Sequence, residues 1–158
     1  MLAAVVLSQV SLIPGLRLFG VVPDVVMVCV VLLGLRATVS RALVLALVGG
    51  IVMDISSGTD FGLHTGLLVV AALATGLVRR SGLTMSGVAV PLGLVTALTV
   101  MGALLSLAGV IRVLSARDVA AAFSIVLVEL VVNLIIALGL RPVIARLVPD
   151  ESALPAIG

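Results

Sequence analysis

Chemistry in this chain is confined to a few polar side chains set in an almost hydrocarbon-like sequence. The densest group runs from Gly49 to His64. Two carboxylates (Asp54, Asp60), three hydroxyls (Ser56, Ser57, Thr59), four glycines and the only histidine fall within these sixteen positions. A carboxylate beside a histidine can move a proton, and a carboxylate–imidazole set can hold a metal. The inventory argues against both. With one His and a distant Cys29, the remaining metal ligands would all have to be carboxylates. His64 suits a polar tether better than a base, and Asp60 reads as a solvated loop acid. No nucleophile–base pair, phosphate-cradling loop or metal-ligand spacing occurs, so the sequence points away from an enzyme. A second, sparser set is Gln9, Glu129 and Asn133, each inside an apolar run. Glu129 and Asn133 are four residues apart and share a helix face. Glu129 reads as part of a polar pocket. Asn133 reads as an interhelical hydrogen-bond clamp, worth about 0.6 kcal/mol on average.

The elements that position Asp54 make it costly. An apolar helix runs into it, a turn containing Gly58 follows, and Gly62 opens the next apolar helix. The C-terminal end of a helix carries the negative pole of its dipole, which disfavours a carboxylate there. A carboxylate at the bilayer centre costs about 2.5–3.5 kcal/mol. The groups placed to offset both costs are the hydroxyls and amides of the turn and the free N–H groups where the next helix begins.

That the medium is a bilayer follows from composition. The 158 residues are 63% hydrophobic and 10% charged, with a mean hydropathy of +1.49. Soluble domains sit near 45–50% apolar and about 25% charged. The net charge is only +2, carried by scattered arginines with no lysine and no basic block, which excludes nucleic-acid binding. Cys29 has no partner for an internal disulfide and reads as a small hydrophobe.

Six spans are expected in one membrane domain, 1–148: residues 1–13, 23–37, 38–55, 62–78, 84–111 and 119–140, with a frayed tail over 149–158. The first run is short and has no basic flank or cleavage site of a secretory signal, so it reads as a transmembrane helix with Gln9 facing its neighbours. Pro23 and Asp24 suit the first turn of the second span, which Arg36 would extend by snorkelling. Pro91 is a possible kink in the fifth span, where Gly93, Ala97, Gly102 and Ala103 allow close packing. Gly49 and Gly50 read as helix-contact positions. Arg141-Pro142 would end the sixth span. With the N-terminus inside, Arg36, Arg41, Arg79, Arg80, Arg141 and Arg146 lie inside, against Arg17, Arg112 and Arg117 outside. This bias places both termini in the cytoplasm and the Asp54–His64 turn at the outer face.

The stretch Gly50-Ile-Val-Met-Asp54-Ile-Ser-Ser57-Gly58-Thr-Asp-Phe-Gly62-Leu-His64 resembles the signature of the rod shape-determining protein MreD family, with Phe61 where leucine is usual. Gln9 near the end of the first run, Val22-Pro23-Asp24 before the second helix, and Asn133 with Pro142 and Arg146 resemble other features of that family. The resemblance implies an all-α integral membrane protein of six helices, similar in fold to the substrate-binding subunits of energy-coupling-factor transporters. It implies a non-catalytic scaffold in the bacterial inner membrane that binds the single-pass protein MreC. Lateral peptidoglycan synthesis by RodA and its penicillin-binding transpeptidase would depend on it, with MreB engaged indirectly. Membrane lipids would surround it, and no cofactor is implied. A second reading is a subunit binding a vitamin-like ligand in a pocket of Gln9, Glu129 and Asn133. The scarcity of aromatic residues to stack on a flat ligand weighs against it. A lipid-modifying enzyme lacks any set of active-site residues.

Overall fold

The computed structural model of the chain describes residues 23–57, 62–81, 87–110 and 116–148. Among them every regular element is a helix: α1 (Val25–Gly34), α2 (Val39–Ser57), α3 (Leu63–Arg80), α4 (Ala89–Val110) and α5 (Ala116–Leu147). Helices α2 to α5 are each long and apolar enough to cross a membrane. By that length and composition the chain is a multi-pass membrane protein. The expected span over 1–13, the tail over 149–158, and the positions Gln9, Gly58 and Asp60 lie outside the described residues. Large apolar side chains stand outward on the long helices, among them Ile55, Leu77, Phe123 and Ile135. In water such a surface would aggregate, whereas lipid tails cover it without penalty.

The core is built around the shortest helix. A span over 23–37 was expected, but α1 has ten residues and is about 15 Å long, half the hydrocarbon thickness. Its sequence is apolar all round, which suits a helix surrounded by protein. Val26, Met27, Val28, Val30, Val31 and Leu32 are buried, and α1 touches all four of the other helices. Asp24 is its N-cap, accepting from the Met27 N–H at 2.8 Å, so Pro23 precedes the helix and is not part of its first turn.

Arg36, expected to extend this span, lies two residues beyond the end of α1. Its Nη1 reaches the carbonyl oxygens of Ala145 and Val148 at 3.5 and 3.4 Å, where α5 ends. Ala145 lies in the last turn of α5 and Val148 just past it, where carbonyls lack helical partners, and a cation there also suits the dipole. This contact helps explain why α5 runs on past Pro142 to Leu147, beyond the expected end at Leu140. Proline removes one helical hydrogen bond, and the burial of Ile144 together with Arg36 holds the final turns. At the same end, Arg79 donates to the carbonyl oxygen of Ala37 between α1 and α2. Pro91 falls in the first turn of α4, where its missing N–H breaks no helical bond.

Helices α2 and α3 form the most extensive pairing. A Cβ on Gly50 would lie 2.4 Å from the Thr65 Cα, so only glycine lets the two backbones approach this closely. Its neighbour Gly49 likewise admits Val26 of α1.

Candidate functional site

Asp54 occupies the last turn of α2, and α3 begins directly opposite it. The carboxylate is buried at 2% exposure and is bonded from one side by α3. The Gly62 N–H donates to Oδ2 at 2.9 Å and the His64 N–H to Oδ1 at 2.9 Å. Both the N–H and the hydroxyl of Thr65 donate to Oδ2, at 3.2 and 2.6 Å. The His64 Nδ1 lies 3.1 Å from Oδ1. A carboxylate only accepts, so Nδ1 carries the proton of this pair.

The arrangement follows from helix physics. The first N–H groups of a helix have no partner in their own turn. Their usual acceptor is an N-cap side chain, but Gly62 is the cap of α3 and has none. Gly62 also sits at φ +103°, in the left-handed region that glycine adopts freely. Asp54 supplies the missing acceptor from the preceding helix. Its charge thereby faces the positive pole of α3, which offsets the negative pole of α2. Of the groups foreseen to offset these costs, the free N–H groups at the start of α3 bond the carboxylate, joined by the Thr65 hydroxyl, while residues 58–61 of the turn lie outside the described residues. Ser57 closes α2, and the Ser56 hydroxyl turns back to the Val52 carbonyl at 2.7 Å.

A second polar node joins α1, α4 and α5. The Asp24 N–H donates to Asn133 Oδ1 at 3.0 Å, and Asn133 Nδ2 donates to Thr99 Oγ1 at 3.2 Å. Asn133 is fully buried and spent on these bonds, as an interhelical clamp would be. Glu129, one turn along α5, stands apart. No hydrogen bond or ion pair ties its side chain to another described residue. It lines a cavity of about 540 Å³ between the C-terminal half of α4 and the N-terminal half of α5, with Asp24 and Met27 at the start of α1 and His64 at the start of α3. Asn133 does not line it.

The structure therefore brings Asp54, Gly62 and His64 into one tie, and Asp24 and Asn133 into another. Pro23 is buried next to the cap. Thr65 and Thr99 are the participants that sequence reasoning missed. Thr65 carried only the signal of its place in the first turn of the helix after Gly62, which does not say where its hydroxyl points. Thr99 carried only that of a hydroxyl inside an apolar run. Among the described residues no three His, Cys, Asp or Glu side chains come together as metal ligands would. The saturated carboxylate of Asp54 suits holding two helices in register better than moving protons. Comparison of the chain with protein-family models, with curated proteins and with solved structures returned no match.

Proposed function

We propose that this chain is a non-catalytic, MreD-like membrane scaffold of the bacterial cell-elongation machinery. The observation that carries the reading is the Gly50–His64 stretch, whose residues resemble that family's signature and whose Asp54 is consumed in tying α2 to α3. An acid so fully bonded has a positional role, which is what a docking surface requires. The partner is the single-pass protein MreC, whose membrane helix lies against the outward apolar faces of the bundle. RodA and its transpeptidase then act at the outer surface, and MreB engages indirectly from the cytoplasm. The protein sits in the inner membrane with both termini cytoplasmic, because six of the nine arginines fall in the connections on that side.

The test is co-purification and shape rescue in a rod-shaped bacterium lacking its own MreD. Asp54→Ala, present at normal abundance, is expected to lose MreC and leave cells round. Wild-type capture of MreC together with restored rods in that variant would overturn the reading.

A further inference from the structure

Among the described residues a cavity lies beside α4 and α5 and reaches the start of α1. Asp24 and Met27, at the start of α1, contribute to its lining. Most of the remaining lining is apolar: Leu98 is buried, whereas Leu104 and Phe123 stand outward and leave the space open on the lipid side. Two carboxylates reach the space, and they differ in state. Asp24 is capping α1, where the helix N-terminus answers its charge. Glu129 has no such partner among the described residues.

An ionisable side chain at membrane depth, set in a cavity and given no counter-charge by the described residues, marks a place for a ligand. The cavity volume falls in the range of small-molecule sites, about 300–1,000 Å³. We propose that this cavity binds one small organic cation with a compact apolar body, its ammonium paired with Glu129. Charge selects the sign of the ligand, because both acids present repel an anion. Depth selects its source. Glu129 lies about 12 Å along α5 from Ala121, where the apolar window of that helix begins. A phospholipid ammonium would have to leave the interface to reach it, whereas a free amine carried by a small hydrocarbon would not. The inference is independent of the scaffold reading and stands or falls without MreC.

The experiment uses the full chain in nanodiscs of phosphatidylcholine and phosphatidylglycerol, with binding followed by NMR. The probes are 1-adamantylammonium, 1-adamantanol and adamantane-1-carboxylate, which share one apolar body and differ in charge. Saturable binding of the ammonium at one per chain is expected, at least tenfold tighter than the alcohol, with the carboxylate weakest. Glu129→Gln is expected to reduce ammonium affinity at least tenfold, to the level of the alcohol. Ala103→Phe, which fills the cavity from α4, is expected to abolish binding of all three. The wild-type ratio of ammonium to alcohol needs no variant to fold. Equal affinities for the two, or ammonium binding that survives Glu129→Gln, would overturn the proposal. So would native mass spectra in which added phosphatidylethanolamine is retained in place of the adamantyl probe and lost with Ala103→Phe.

Discussion

At the scale of single residues, the Asp54 carboxylate collects four donors from α3 besides the histidine ring, so its loss strands several buried groups at once. Asp54→Ala is expected to lower stability by about 3 kcal/mol, since each unsatisfied buried polar group costs about 1–3 kcal/mol. Asp54→Asn should lose less, because its remaining oxygen still accepts. Thr65→Val removes one hydroxyl donor and is expected to cost about 1 kcal/mol. Equilibrium unfolding in mixed micelles with increasing SDS ranks the three, and an Ala variant as stable as Val would contradict the geometry. Asp54 stood out in the sequence because charge is so rare here. Its partners were legible as a class, the exposed amides of the next helix, because every helix start has them. The Thr65 hydroxyl was not, since a side chain's rotamer depends on the neighbouring helix.

Between elements, closeness is set by side-chain size at a few positions. Gly50→Ala places a methyl group against the Thr65 backbone, which cannot yield as a flexible side chain would. The expected cost is about 1–3 kcal/mol, with the Asp54 tie loosened as α3 is pushed away. Gly93→Ala is the control: a Cβ there meets nothing within 4 Å, and no loss is expected. Thermal unfolding of the two variants in one detergent checks both. Sequence spacing alone named Gly49, Gly50, Gly93 and Gly102 alike as contact positions, and could not say which of them face a backbone. At the C-terminus of α5, Arg36→Ala removes the donor to the Ala145 and Val148 carbonyls. Faster amide exchange over the turns after Pro142 is the expected consequence, read by hydrogen–deuterium exchange, with the middle of α5 unchanged.

For the whole molecule, the helices alternate in direction, so the ends of α1, α3 and α5 that carry Arg36, Arg79 and Arg146 gather on one side. In a Cys29→Ala background, Ser81→Cys is expected to react with a membrane-impermeant maleimide only from the cytoplasm, and Asp118→Cys only from outside. The reverse pattern would invert the proposed orientation. Solvent, class and the position of the costly acid follow from the sequence alone, because hydropathy and rarity of charge are properties of composition and order. The length of α1, the true end of α5 and the neighbours that Glu129 and Asn133 meet do not. A stretch apolar on every side can be a full span or a half-length central helix, and only the neighbours that bury it decide which. Likewise the sequence could read Asn133 as a clamp and Glu129 as a pocket residue, but could not name what either one meets. Asn133 meets the backbone of Asp24 and the hydroxyl of Thr99, whereas Glu129 lines the cavity beside α4 and α5, and these neighbours exist only once the helices are packed.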